Sequence, residues 1–179
     1  MGQRRTEVLQ AAIELLDEAG LDALTMRLLA SRLGVRASAL YRHYPSKQAL
    51  LDAMVAHLVK PDGDGFPADA PWDELLRGAA SGMREVMLAH RDGARLISGF
   101  HDPGDDAIAV FEHLVTTLAG AGVPAGMATV AVDTVLAYAN GFTIEEQARK
   151  TAWPREERDQ AFGGGLDLII AGIRGSLPA

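Results

Sequence analysis

The sequence predicts an all-α protein with a small N-terminal head and a larger helical body. Apolar residues recur at i, i+3 and i+4 along most of the chain, and no segment alternates convincingly with the period of a strand. Glycine and proline separate these helical stretches. With 179 residues, of which 48% are hydrophobic and 23% charged, the chain can bury a real core, which excludes a disordered protein.

The head, residues 1–60, predicts a helix-turn-helix domain built on a three-helix core. An apolar stripe from Val8 to Ala19 forms the first helix, which Gly20 is placed to end. Thr25 can cap a second helix that Gly34 terminates. A short recognition helix over about 37–43 precedes Pro45, and Ser46 caps a linking helix over about 47–60.

Residues 61–71 predict a non-helical connector, because they hold three Pro, two Gly and three Asp. The body, residues 72–179, then shows helical stripes over about 72–90, 94–100, 108–118, 125–144 and 162–177. The glycines at 163–165 indicate either a close helix approach or a frayed helix start.

The stretch 125–144 is apolar all round, which predicts burial on more than one side. Only Asp133 and Asn140 are strongly polar there, and they could bond across a dimer interface or face a cavity. A membrane span is the alternative, which Asp133 and a mean hydropathy of +0.05 argue against.

Composition restricts the chemistry of the chain. With no cysteine there is no disulfide framework, no thiolate nucleophile and no cysteine-based metal site. The N-terminus lacks the pattern of a secretory signal, so we expect a cytoplasmic protein.

The net charge of −7 is unevenly distributed. The head carries eight Lys and Arg against six Asp and Glu, and no acidic residue lies between Asp22 and Asp52. Five basic residues fall in that window: Arg27, Arg32, Arg36, Arg42 and Lys47. They form either an electrostatic footprint for a polyanion or a solvated basic face.

The segment 25–47 has the spacing of a helix-turn-helix. Ala30 allows close helix packing, Gly34 tolerates a positive φ at the turn, and Leu40 anchors the second helix. Ser38, Arg42 and His43 could then read base edges, while Arg36, Tyr41 and Lys47 hold the backbone. Tyr44 is expected to pack in the core.

Residues 20–54, GLDALTMRLLASRLGVRASALYRHYPSKQALLDAM, resemble the DNA-binding domain of the tetracycline repressor (TetR) family. The body segments WDELLRGAASGMREVMLAHRDGARL, HLVTTLAGAGVP, GFTIEEQ and FGGGLDLIIAGIRGSL are similar to the ligand-binding domain of tetracycline repressors. The resemblance implies a homodimer in which the last two long helices of each subunit form a four-helix bundle. It also implies a ligand cavity in each body that controls the separation of the heads.

The resemblance also implies DNA contacts. The matching positions are Thr25, Arg27, Ala37, Ser38, Ala39, Tyr41, Arg42, His43 and Lys47. Ala37 and Ala39 are too short for the polar base contacts of tetracycline repressors, so we expect a different operator.

The metal-tetracycline site of the family is not reproduced. The family's imidazole after the linking helix falls at Asp62 and Gly63, and its amide and aromatic contacts fall at Ala79 and Met83. The position of the family's metal-ligating imidazole matches Ile97, or Ser98 if the gap in the alignment is moved by one residue. Glu145 matches the carboxylate that holds the metal's water shell, but one carboxylate does not make a magnesium site. We therefore expect no metal, no cofactor and no metal-tetracycline binding.

A pocket of mostly apolar walls suits a hydrophobic small-molecule effector. The expected lining residues are Met83, Met87, Ile97, Phe100, Phe111, Leu114, Tyr138 and Phe142, with His57, His101, His113 and Glu145 as polar candidates. Each has a simpler interpretation: core packing for Met and Phe, and a satisfied imidazole for His, which we favour for His90 and His113. His101 is the preferred histidine.

The residues and the resemblance together imply a ligand-responsive, homodimeric transcriptional repressor that binds a palindromic double-stranded operator and no membrane. An enzyme is not expected, because no nucleophile, metal motif or phosphate loop is present. A ligand-independent DNA-binding protein would need broad positive charge, and a regulator that binds a protein or peptide stays open.

Overall fold

The computed structural model describes residues 3–60, 70–149 and 153–177. Within these ranges the chain forms nine α-helices and no strand, which confirms the all-α prediction. The helices are α1 (Gln3–Ala19), α2 (Met26–Arg32), α3 (Ala37–Leu40), α4 (Lys47–Leu58), α5 (Trp72–Ala89), α6 (Gly93–Ser98), α7 (Asp105–Gly120), α8 (Ala125–Arg149) and α9 (Arg155–Gly175).

The chain divides into two compact units. Unit 1 consists of residues 1–60 and 86–107, and unit 2 consists of residues 61–85 and 108–179. Most of the connector expected at 61–71 lies outside the described residues. Helix α5 spans the boundary between the units. Its residues 72–85 belong to unit 2, and its residues 86–89 belong to unit 1.

Local signals place the helix-turn-helix as the sequence predicts. The Thr25 hydroxyl accepts the Leu28 backbone N–H at 3.1 Å, and the Ser46 hydroxyl accepts that of Ala49 at 3.0 Å. Gly34 has a φ of +66°, a conformation that glycine adopts without steric cost. Ala30 and Leu40 are both buried, which is the burial expected of a close-packing residue and of an anchor.

The recognition helix is shorter than the sequence predicts, because α3 ends at Leu40 and residues 41–43 form a turn. The backbone N–H groups of His43 and Tyr44 both donate to the Leu40 carbonyl at 2.9 Å, which closes the chain into this turn. Pro45 follows, and the residue before a proline is disfavoured in the α conformation. The helix therefore cannot run on into α4.

The segment 86–107 joins unit 1 through side chains that accept backbone N–H groups. The Asp92 carboxylate accepts the Leu21 N–H at 2.9 Å, and Asp52 accepts the N–H of His101 at the same distance. The His90 ring lies 3.0 Å from the Asp17 carboxylate, as expected for a satisfied imidazole. These contacts fix α6 to the α1–α2 turn and to α4.

The core of unit 2 lies between α5, α7, α8 and α9. Leu76, Leu114, Val135 and Leu166 are among its fully buried side chains. α8 continues to Arg149, five residues past the expected end. α9 begins at Arg155 rather than near Phe162, because Pro154 occupies its N-cap position and acidic residues in its first turn favour a helix start.

One face of α8 is buried, and the other is exposed in the described chain. Val132 and Ala139 lie in the core, whereas Val130 is 56% exposed. By length and composition α8 could cross a membrane, and 33% of its most apolar window is buried. The burial on more than one side that the sequence predicts is therefore not reached within a single chain.

Gly165 on α9 makes room for the side chain of Tyr138 on α8, which favours the close helix approach among the two alternatives for the glycine run. A Cβ atom at this position would lie 2.2 Å from the Tyr138 hydroxyl, which donates to the Phe162 carbonyl at 2.9 Å. A Cβ at Gly163 would meet no atom within 4 Å.

We predict that Gly165→Ala lowers the free energy of unfolding by about 1–3 kcal/mol, because the methyl group overlaps the Tyr138 ring. The matched control, Gly163→Ala, should instead gain about 0.5–1 kcal/mol from a better helix former. Urea unfolding of both variants measures the difference, and equal stabilities would disprove the packing at Gly165.

Candidate DNA-binding surface and effector region

The outer surface of α2, α3 and the following turn carries the residues expected to contact DNA. Six of them are exposed, and Ala37, Ala39, His43 and Lys47 are half-buried. The exposed ones are Thr25, Arg27, Arg36, Ser38, Tyr41 and Arg42. The structure thus brings all ten to unit 1, on three consecutive helices and the turns between them.

Two of these residues also have local structural positions. The Thr25 hydroxyl oxygen accepts a backbone N–H as the N-cap of α2, which leaves its own hydrogen free to donate. Arg36 occupies the N-cap position of α3 without a capping side-chain bond. A guanidinium carries only donors, so it could not accept the backbone N–H groups at the start of this helix.

Of the five cations in the basic window, Arg32 is ion-paired and the other four are not paired among the described residues. Arg32 donates to Glu18 at 2.8 Å and also contacts Glu14, so its charge is neutralised within unit 1. The hydrogen bond from Arg32 holds the pKa of the Glu18 carboxyl below its ordinary value. In the described part of the chain, Arg27, Arg36, Arg42 and Lys47 have no carboxylate within 4.0 Å.

The expected effector residues in unit 1 fall into two groups. Met87 and Ile97 are fully buried. His57, Phe100 and His101 are exposed, and Phe100 is 40% accessible. The structure does not place these five residues in one common environment within unit 1.

The expected effector residues in unit 2 include an aromatic cluster. The ring of Tyr138 lies 5.8 Å from that of Phe142 and 5.5 Å from that of Phe162, centroid to centroid. Leu114 is fully buried in the core, and Phe111 and Met83 are half-buried. Phe162, which the sequence assigned only to a helix stripe, completes this cluster.

Glu145 lies on the exposed side of α8, where it pairs with Arg149 at 2.9 Å. The neighbouring carboxylate, Glu146, is the buried one. It accepts two hydrogen bonds from Arg84, at 2.9 Å from Nε and 3.1 Å from Nη2. Both side chains are only 5% exposed.

Arg84 is the centre of a cluster that the sequence analysis did not find. Its Nη1 lies 2.8 Å from the Asp159 carboxylate, and the Arg158 Nε lies 2.8 Å from Glu146. The Arg84 guanidinium also lies 4.9 Å from the Phe162 ring centroid, within cation–π distance. A charged residue at a core position of the α5 stripe, four residues after Ala80, was the available signal.

The cluster changes the titration of its neighbours. The hydrogen bond from Arg84 holds the pKa of Asp159 below its usual range. Burial raises the pKa of Tyr138, and the positive charge of Arg84 opposes that rise. Asp159 and Arg84 both stay charged near neutral pH, so the partly exposed carboxylate of Asp159 pairs with the buried guanidinium of Arg84.

Two family models match the chain. The model described as bacterial regulatory proteins, tetR family, matches residues 8–54. The model described as tetracyclin repressor-like, C-terminal domain, matches residues 66–158. The two matches cover the helix-turn-helix and most of the remaining helices.

Curated relatives agree with these models. The tetracycline repressor protein class C of Escherichia coli is 36% identical over 198 aligned positions, which cover 95% of this chain and 90% of that protein. The class A repressor from transposon 1721 of Escherichia coli is 42% identical, over 79% of this chain and 66% of that protein.

Solved structures share the fold along nearly the whole chain. A possible TetR family transcriptional regulator from Streptomyces coelicolor A3(2) superposes with a TM-score of 0.86 at 36% identity, covering 96% of this chain and 98% of that one. BioQ with its double-stranded DNA operator superposes with a TM-score of 0.78 at 33% identity, covering 94% and 96%.

We predict that Arg84→Met and Glu146→Gln each lower the free energy of unfolding by about 1–3 kcal/mol, because each removes a buried charged hydrogen-bonded pair while Asp159 still contacts Arg84 and Arg158 still contacts Glu146. The double variant should cost less than the sum of the two. Denaturant unfolding in a double-mutant cycle measures this coupling.

The exposed pair Arg149–Glu145, at 2.9 Å, provides the matched control. Arg149→Ala should cost less than about 1 kcal/mol, since solvent already screens that pair. Additive losses at Arg84 and Glu146 would contradict the assignment of one coupled cluster.

Proposed function

Because the chain belongs to the tetR family of bacterial regulatory proteins, we propose that it is a homodimeric repressor of a palindromic operator, released by a hydrophobic small molecule. Membership of this family makes it a DNA-binding transcriptional regulator and not an enzyme. We infer further that it acts in the cytoplasm, where its operator is accessible.

The observation that carries the proposed operator binding is the set of unpaired cations around the recognition helix. Arg27, Arg36, Arg42 and Lys47 lie on one short stretch of chain, and the whole acidic excess lies after residue 60. Unpaired guanidinium and ammonium groups can neutralise phosphates and release counterions. Ser38, Arg42 and His43 are then the residues within reach of base edges.

The proposed homodimer rests on outward faces of α8 and α9 that one chain leaves uncovered. Leu168 on α9 is 77% exposed and Val130 on α8 is 56% exposed. Small exposed residues surround Leu168 on α9: Gly164, Ala171, Gly172 and Gly175. Such residues let a second helix approach closely, so a second copy of α8 and α9 fits these faces.

A two-fold dimer would hold two recognition helices about 34–36 Å apart, which is one turn of B-DNA. The operator is then a palindrome whose half-sites have that spacing. An effector that binds better to a conformation with displaced heads weakens operator binding, and the operator weakens effector binding by the same factor.

The effector we propose is apolar and is not a metal-tetracycline complex. Ile97 is buried and has no metal-binding atom, and the Glu145 carboxylate is exposed and paired with Arg149. The aromatic rings of Tyr138 and Phe142 offer apolar surface in unit 2. Asp62 and Gly63 lie outside the described residues.

Selection of bound duplexes from a random DNA pool tests the operator proposal. We expect enrichment of a palindrome that the protein binds as a dimer, far more tightly than a random duplex. Anisotropy titrations at several salt concentrations then give the affinity and its salt slope. A pool without any enriched sequence would contradict sequence-specific binding.

On the selected operator, Arg42→Ala should lose about 1–3 kcal/mol of discrimination against base changes in each half-site. Lys47→Ala should weaken operator and random duplex equally, and reduce the salt slope by about one. Arg77→Ala, which removes a paired cation on α5, is the charge-matched control. If Arg42→Ala keeps the parent's discrimination, the assignment of base contacts to the turn of residues 41–43, here called the recognition turn, is wrong.

Leu168→Lys should convert the protein to a monomer and weaken operator binding, because it places a charge in the centre of the proposed interface. Ile108→Lys, an equivalent change at an exposed apolar residue of α7, should stay dimeric. Sedimentation velocity measures both variants. A dimeric Leu168→Lys variant would place the interface elsewhere.

A further inference from the structure

We propose that Arg5, at the start of α1, is a further DNA-backbone contact that Tyr44 positions beside the recognition helix. Its ligand is a phosphate group of the operator. The inference rests on the proposed operator binding and extends the contact surface beyond the helix-turn-helix.

Arg5 is attached to the recognition turn through Tyr44. The Tyr44 side chain is 1% exposed, and its backbone N–H donates to the Leu40 carbonyl at 2.9 Å. Its hydroxyl donates to the Arg5 carbonyl at 3.2 Å, and the Arg5 guanidinium carbon lies 5.0 Å from the Tyr44 ring centroid. The first turns of α1 therefore lie against the residue that ends the recognition turn.

Tyr44 is the sequence neighbour of the expected DNA contacts. Arg42 and His43 directly precede it, and Lys47 follows three residues later. A guanidinium stacked on the Tyr44 ring therefore lies close to the surface that would face the duplex. The side chain of Arg5 is exposed, so a phosphate can reach it.

Pairing distinguishes Arg5 from its neighbour Arg4. The Arg4 guanidinium donates to Glu7 at 3.0 Å. In the part of the chain that the structure describes, Arg5 has no carboxylate within 4.0 Å, which it shares with Arg27, Arg36 and Lys47. Its charge is therefore available to a phosphate, whereas that of Arg4 is already matched.

The geometry suits the chemistry of phosphate binding. A guanidinium stacked on an aromatic ring is held by its face, and the N–H groups along its edge stay free. Those N–H groups match two phosphate oxygens in a bidentate arrangement. Stacking also limits the rotamers of the side chain, so less conformational entropy is lost on binding.

The test compares the parent with Arg5→Ala, Arg5→Lys and Arg4→Ala on the selected operator and on a random duplex. Arg5→Ala should weaken both by a similar factor, because a phosphate contact carries no base information. Its salt slope should be about 0.9 smaller in magnitude than that of the parent. The ratio of the parent's DNA affinity to that of Arg5→Ala should consequently fall about 3.5-fold between 50 and 200 mM salt.

Arg4→Ala removes the same charge one residue away and should keep the parent's slope. Arg5→Lys keeps the charge but not the bidentate edge, so it should recover most of the slope with a lower affinity. Thermal unfolding without DNA monitors the fold of each variant. A lower melting temperature of Arg5→Ala with the parent's salt slope would show a structural role only and overturn the proposal.

The two proposals fail in different ways. If the parent and Arg4→Ala bind the operator and Arg5→Ala has the same slope, operator binding stands and the role of Arg5 is wrong. If the parent shows no specific DNA binding, both proposals are overturned.

Discussion

Burial of one positive charge is the constraint on which the packing of unit 2 depends. A guanidinium removed from water costs several kcal/mol unless it is paired, so Arg84 requires Glu146 and Asp159 in place. These two carboxylates come from α8 and α9, and the charge itself comes from α5. The helices whose outer faces we propose as the dimer interface are thus fixed to α5 from within the core. The same charge holds the pKa of Asp159 low, which keeps the pair ionised.

In unit 1, two buried side chains hold the exposed turn of residues 41–43 in place. Leu40 before the turn and Tyr44 after it are almost fully buried. The four-residue helix α3 is too short to be stable alone. Its position depends on Gly34 at the preceding turn, on Leu40 as an anchor and on the backbone hydrogen bonds that close residues 41–43. Binding residues often lie on a short segment that rigid neighbouring elements support. The supporting elements, rather than the segment itself, then hold the side chains in position.

Electrostatics in this protein depend on pairing more than on composition. The chain is acidic overall, and a count of the basic window includes Arg32, whose charge Glu14 and Glu18 neutralise. The count also omits Arg5, which precedes the window and is unpaired among the described residues. We therefore attribute the proposed attraction of a polyanion to a few unneutralised cations in unit 1.

The sequence by itself determined the number and order of the helices in the described chain, the N-caps of α2 and α4, and the helix-turn-helix. Thr25, Ser46 and Gly34 act within four residues of their own position, and such local interactions can be predicted from spacing alone. The resemblance to the TetR family was also evident from the motifs, and the family is confirmed. The residues expected to contact DNA and those expected to contact an effector stay predictions. The expected DNA contacts are exposed or half-buried in unit 1, which suits binding to DNA.

Only the tertiary structure decided which cations are neutralised, where α3 ends and which of two adjacent carboxylates is buried. Adjacent residues on a helix point about 100° apart, so only one of Glu145 and Glu146 can face the core. Because α8 is apolar nearly all round, its sequence does not show which face is buried, and so it does not show which of the two glutamates is buried. Glu146 is chosen by Arg84, which lies 62 residues away in the chain. Pairings across such distances depend on how helices pack, and no local pattern specifies them.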